Sequence, residues 1–129
     1  MSRHDTAAIV RAYHNAWTRK EFDEAVAILA DDLVVEVPIN DYPTAQSFAA
    51  ALKSFGSMTT NVDLLAVMSA DDEAMLLYDM DVEHLGTLRV AEHFTVDDNK
   101  IIRIRQIHDT AAIRAAGRRN PVAKRGWAP

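Results

Sequence analysis

The second half of the chain carries the strongest constraint on its fold. From Asn61 onward the hydropathy repeats with a period of two through four runs, Val62–Ser69, Glu73–Val82, Thr87–Val96 and Lys100–His108. Between them stand Ala70-Asp71-Asp72, Glu83-His84-Leu85-Gly86 and Asp97-Asp98-Asn99. Separators this short close hairpins but cannot span a parallel crossover, so the runs predict an antiparallel meander.

The first half has a different period. Ile9, Val10, Tyr13, Ala16 and Trp17 recur at helical spacing, and Ser2 with Asp5 has the form of a capping box, so a helix is predicted over about 5–19. Phe22, Ala25, Val26, Leu29 and Ala30 predict a second helix, with Asp23 and Glu24 favouring its start. Leu33–Val37 is β-branched and stops at Pro38, which predicts a short strand. After a loop from Ile39 to Pro43, Thr44 caps a third helix with Phe48, Leu52 and Phe55 on one face and Gly56 as the left-handed residue past its end. Asp109 is placed to cap a last turn through Ile113, ended by Gly117. The order α-α-β-α-β-β-β-β predicts an α+β domain, three N-terminal helices on one face of a curved, mainly antiparallel sheet.

At 129 residues one domain is expected, over 1–117, followed by a basic, flexible tail over 118–129. The net charge of −5 divides into −10 for residues 1–113 and +5 for the rest, where Arg114, Arg118, Arg119, Lys124 and Arg125 meet no acid. An acidic body argues against nucleic acid as partner. No apolar run reaches the length of a membrane span and no signal segment is evident, so a cytoplasmic protein is the expectation. Without cysteine there is no disulfide, thiolate metal site or thiol nucleophile. No HxH or HxxxH spacing and no Gly-rich phosphate loop occur, so neither metal nor cofactor is expected.

Strand periodicity singles out one residue. Leu88, Val90, Glu92, Phe94 and Val96 share a face, and Arg89, Ala91, His93 and Thr95 lie opposite, so Glu92 is the one charge on an apolar face. In the neighbouring run Leu76, Tyr78, Met80 and Val82 face inward while Asp79 and Asp81 face out. A carboxyl in such a place has its proton affinity raised, and neutral Glu92 can donate a hydrogen bond; the alternative is a Glu satisfied by an Arg, a hydroxyl or water. Asp109, standing before Thr110-Ala111-Ala112-Ile113, has the form of a helix N-cap first and of an acid/base second, and both roles can coexist. His108 shares a face with Ile102, Ile104 and Gln106, as an acid/base or a core histidine. Arg103 and Arg105 are expected on the outer face, paired with Asp79, Asp81 or a partner subunit.

Element order, together with Tyr13-His14-Asn15-Ala16-Trp17, Ala30-Asp31-Asp32-Leu33, Val35-Glu36-Val37-Pro38 and the stretch from Asn99-Lys100-Ile101 to Ile107-His108-Asp109, resembles the nuclear transport factor 2-like superfamily over roughly residues 6–117. The resemblance is to its SnoaL-like branch, which includes polyketide cyclases and is related to ketosteroid isomerase and limonene epoxide hydrolase. It implies a cone-shaped domain around an apolar pocket, lined from Trp17, Val35, Val37, Phe48, Leu52, Phe55, Tyr78, Met80, Val90, Phe94 and Ile104, and a homodimer joined through the sheet. It puts Tyr13 on the oxyanion-binding tyrosine of ketosteroid isomerase, Glu92 near that family's second donor, and Asp109 at the acid/base of the cyclases. Val37 falls where the isomerase has its base, and Gln106 replaces an acid of the epoxide hydrolase pattern. The expected function is a pocket for a small hydrophobic or aromatic molecule, with cofactor-independent chemistry of isomerase, cyclase or hydrolase type in which Asp109, assisted by His108, is the acid/base and Tyr13 and Glu92 stabilise developing negative charge on oxygen. A non-catalytic ligand-binding or dimerisation module of the same fold is the alternative.

Overall fold

The alternating runs pair as consecutive hairpins. The computed structural model describes residues 5–119, with side chains to Ala115. Its elements are α1 (Thr6–Thr18), α2 (Phe22–Val26), β1 (Leu29–Glu36), α3 (Ala45–Ser57), β2 (Thr59–Ala70), β3 (Glu73–Val82), β4 (Gly86–Asp97), β5 (Lys100–His108) and α4 (Ala111–Arg119). One five-stranded sheet has the order β1-β5-β4-β3-β2. It is antiparallel from β2 to β5, and only β1 joins it in parallel, against β5. This α+β architecture is the expected class.

Turn chemistry sets the register. Asp98 and Asn99 have φ of 51° and 63°, the two left-handed residues of a type I′ turn, whose twist matches the strands it joins. On the inner face, Leu76, Tyr78, Met80 and Val82 of β3 are buried against Leu88, Val90, Phe94 and Val96 of β4. The face of α1 carrying Val10, Tyr13, Ala16 and Trp17 covers them. None of the described helices is long and apolar enough to cross a membrane.

Several boundaries differ from the sequence expectation. Helix α2 stops at Val26, and Leu29 and Ala30 belong to β1, because backbone carbonyls just past the helix are taken by β5: Ile101 N donates to Ile28 O at 2.9 Å and Lys100 Nζ to Ala27 O at 2.5 Å. Strand β2 begins at Thr59 and helix α4 continues past Gly117 to Arg119. Arg103 and Arg105 pair with Glu36 across the parallel β1–β5 seam, while Asp79 is taken by Arg89 on β4. Asp5 makes no side-chain cap; Ser2 and the tail from 120 onward lie outside the described residues.

Gly56 is not a left-handed terminator but an interior residue of α3, whose cap, Met58, is right-handed. What it needs is space, since a Cβ there would lie 2.6 Å from Phe22 Cε1. The left-handed role falls to Lys20 (φ 69°), which ends α1 with Lys20 N on Trp17 O at 3.0 Å and Glu21 N on Ala16 O at 2.8 Å. From there Lys20 Nζ reaches the carbonyls of Gly56 and Thr59, fastening the end of α3. Gly56→Ala is expected to destabilise the fold by about 1–3 kcal/mol in urea denaturation, overcrowding outweighing the gain in helix propensity. In a double-mutant cycle with Phe22→Leu part of that loss should return; strict additivity would show that the two side chains do not clash.

Candidate functional site

Helix α3 closes over the inner face of the sheet without filling the space beneath it. A cavity of about 490 Å³ remains, walled by Tyr13 and Trp17 of α1, Phe48, Leu52 and Phe55 of α3, Tyr78 and Met80 of β3, Val90 and Glu92 of β4, and Gln106 and His108 of β5. Val37, Pro38, Ile39, Asn40 and Tyr42, from the loop after β1, complete it. Thr44 and Ser47 cap α3 reciprocally, Ser47 N donating to Thr44 Oγ1 at 3.0 Å and Thr44 N to Ser47 Oγ at 3.2 Å. Of the residues expected to line a pocket, Val35, Phe94 and Ile104 are not in this wall; Phe94 and Ile104 are wholly buried in the core.

Polar groups gather at one place. Glu92, 1% exposed, accepts Tyr78 Oη on Oε1 at 3.0 Å and Gln106 Nε2 on Oε2 at 2.7 Å. Gln106 faces Glu92 directly in the β4–β5 register, and Tyr78 is the diagonal neighbour from β3. Burial pushes the Glu92 carboxyl up to about 7, against the opposing pull of the Gln106 and Tyr78 hydrogen bonds. Tyr13 lies near enough that, after burial, the charge of Glu92 is the second cause holding its phenol well above the usual range. Its ring meets Phe94 edge-on at 5.8 Å, and among the described residues no hydrogen bond is formed to its hydroxyl.

Tyr13, Glu92 and His108 thus share one cavity, and Asp109 does not. Asp109 is exposed and its Oδ1 accepts the amide of Ala111, the first residue of α4, at 3.0 Å. His108 Nδ1 lies 3.0 Å from the Asp109 carbonyl oxygen. Sequence reading missed Gln106 as a donor to Glu92, although face-sharing with His108 carried the signal. It also passed over His14, which is buried on α1 with its ring 4.8 Å from Tyr78 and 5.6 Å from Trp17. Among the described residues His14 Nδ1 has no partner, and burial, then Arg11, lowers the imidazole to about 4. The loop after β1 is backbone-strained: Ile39, β-branched, has φ 74° and is bridged by Asn40 N to Pro38 O at 2.8 Å. No group of three or more potential metal ligands occurs among the described residues.

The SnoaL-like domain family matches residues 10–104. Among solved structures, a protein from Kribbella flavida superposes with a TM-score of 0.83 at 27% identity, over 91% of this chain and 97% of that one. An LEH-like epoxide hydrolase from M. tuberculosis gives 0.72 at 22%, over 95% and 96%. A steroid delta-isomerase from Pseudomonas aeruginosa gives 0.72 at 19%, over 92% and 93%. No curated protein sequence matches the chain significantly.

The two perturbed groups act on stability in opposite senses. Glu92 binds its proton more tightly folded than unfolded, so its contribution to stability is present below about 4.5 and is lost as pH rises through about 7. His14 binds its proton less tightly when folded, so stability is lost as pH falls from 6.5 through about 4. The slopes oppose each other between about 4.5 and 6.5, and stability should fall outside that window. In Glu92→Gln the loss above pH 6.5, about 1 kcal/mol of the roughly 3 kcal/mol spread between pH 4.5 and 7, should vanish from urea midpoints while the acid-side loss remains. An unchanged alkaline limb would remove Glu92 as its cause.

Proposed function

The chain belongs to the SnoaL-like domain family, and from that premise and its cavity we propose that it encloses a small hydrophobic or aromatic molecule whose polar group sits against Glu92. One observation carries this reading: a buried carboxyl, with Tyr78 and Gln106 on its two oxygens, in the wall of an otherwise apolar space. A carboxyl with proton affinity near neutrality gives up or takes a proton at little cost, so Glu92 is the group through which cofactor-independent acid/base chemistry of isomerase, cyclase or hydrolase type would run. Tyr13, with its hydroxyl unengaged by protein, makes the second contact to the polar group, and His108 is within the same wall. Asp109 acts as a cap to α4 in this reading.

A second reading, a non-catalytic ligand-binding or dimerisation module, draws on Val37, which stands where the resemblance locates a base and cannot move a proton. The catalytic and the ligand-binding readings both require the cavity to be entered; a dimerisation module does not. The neutral, polarity-sensitive naphthalene dye prodan should bind with a blue-shifted emission. Leu52→Trp, which fills the space, should weaken it by about tenfold or more. Asp109→Ala should leave its affinity within about twofold while lowering stability by about 1 kcal/mol. Equal dye affinity in Leu52→Trp and the parent would mean that the dye, and the reading, belong elsewhere on the molecule.

The outer face of the sheet supports a homodimer. Ala66, Leu77, Ala91 and Ile107 lie opposite one another across β2, β3, β4 and β5, an apolar row flanked by Met68 and Met75. Ile107 is 72% and Met68 71% exposed, an arrangement that favours association with a like surface. Sedimentation should report a dimer that Ile107→Glu converts to monomer. A parent chain that stays monomeric at high concentration would refute this.

A further inference from the structure

We propose that the molecule held in the cavity carries a basic nitrogen: a small aromatic or arylalkyl amine whose ammonium head pairs with Glu92. This deepens the reading of the cavity as a ligand site and rests on it. Charge is the first ground. Among the described residues in the cavity wall Glu92 is the one acid, no Lys or Arg stands with it, and neither pairs with it elsewhere. The described wall therefore offers this carboxyl no lysine or arginine, although a buried carboxylate needs a cation.

Hydrogen-bond polarity is the second ground. Tyr78 Oη and Gln106 Nε2 both donate, one to each oxygen of Glu92, which is the solvation a carboxylate takes. The third is the aromatic wall. Tyr13, Trp17 and Tyr78 line the space beside the carboxyl, Trp17 and Tyr78 with ring centroids 6.1 Å apart, and their faces attract a cation. An anionic ligand would face Glu92 with no cation to offset it, and a neutral alcohol would gain one hydrogen bond where an ammonium gains a charge-assisted one.

The protons balance on either route of entry. A neutral amine takes the proton of the Glu92 carboxyl, the O–H bond breaking as the N–H bond forms. An ammonium arriving from water leaves that proton to solvent. Both end as an ammonium–carboxylate pair, with Tyr78 and Gln106 still donating to the oxygens. The groups that bear on Glu92 from other elements are Tyr13 from α1, Tyr78 from β3, and Gln106 with the nearby His108 from β5.

Isothermal titration of the full chain with 1-naphthylmethylamine and its isostere 1-naphthalenemethanol tests the pairing. At pH 8 the amine should bind about tenfold tighter than the alcohol, and the preference should shrink to within about twofold by pH 5.5 as Glu92 stays protonated. Glu92→Gln should abolish the preference and its pH dependence while still binding the alcohol; should that variant not fold, the pH profile of the parent carries the test. An amine that binds no tighter than the alcohol at pH 8, a preference that is flat with pH, or one that survives in Glu92→Gln overturns the amine assignment and leaves the cavity reading standing. Binding of neither probe overturns both, and tighter binding of 1-naphthoate overturns the charge argument.

Discussion

A carboxyl group held out of water on an apolar sheet face is the constraint around which this domain is arranged. Glu92 stays there because two donors meet its two oxygens, and each arrives by strand register alone. Gln106 is its direct partner across β4–β5, and Tyr78 reaches it diagonally from β3. A slip of one residue in either pairing would turn the donors to the outer face and leave a buried carboxyl unsatisfied, at a cost of several kcal/mol. The left-handed pair Asp98 and Asn99 closes the β4–β5 hairpin, and a one-residue bulge at Thr95/Val96 then shifts the pairing beyond it so that Gln106 meets Glu92.

Why a cavity, when apolar residues make up 49% of the chain, follows from how α3 is mounted. Its main packing is against β1 and β2, the two edge strands of the sheet, and against α1 and α2, so it spans the central strands at a distance. Both ends are tied: Thr44 and Ser47 satisfy the first turn, and Lys20 holds the Gly56 carbonyl of the last turn together with the Thr59 carbonyl at the start of β2. Lys20 takes a left-handed conformation that costs a non-glycine residue about 1 kcal/mol, and the ion–carbonyl contacts offset it. A helix fixed at its ends over a curved surface leaves its middle unsupported from below, and Phe48, Leu52 and Phe55 look into that space.

Much of this was legible in the residues. Period-two alternation gave β3 and β4 their faces correctly down to the single charge at Glu92, because burial on one side of a sheet writes itself into every second residue. Long-range pairing was less legible. Leu29 and Ala30 continue a helical pattern, and only the parallel contact with β5, seventy residues on, makes them strand. Gly56 looks like a helix stop until the Phe22 ring, supplied by another element, gives it a packing role. His14 stands at helical spacing from Val10 and Trp17 on the apolar face of α1, but its depressed basicity comes from burial, completed by Tyr78 from the sheet. Asp109 illustrates a different limit. Acid/base and cap readings use the same residue at the same place, and only the direction of its side chain, toward the Ala111 amide, separates them.

At two of the positions where the resemblance implies catalytic acids this chain has another residue, and at a third it keeps the acid but turns it away from the cavity. Val37 offers no base, Gln106 offers an amide in place of an acid, and Asp109 is engaged outside the cavity. The amide matters most. An acid at position 106 would face Glu92 across 2.7 Å, and two carboxyls at that separation share one proton and cannot both ionise. Gln106 removes that competition and supplies a donor, so Glu92 titrates as a single group whose ionised form is solvated by protein. The amide thus leaves a single buried carboxyl with a donor on each oxygen and, among the described residues of the wall, no lysine or arginine beside it.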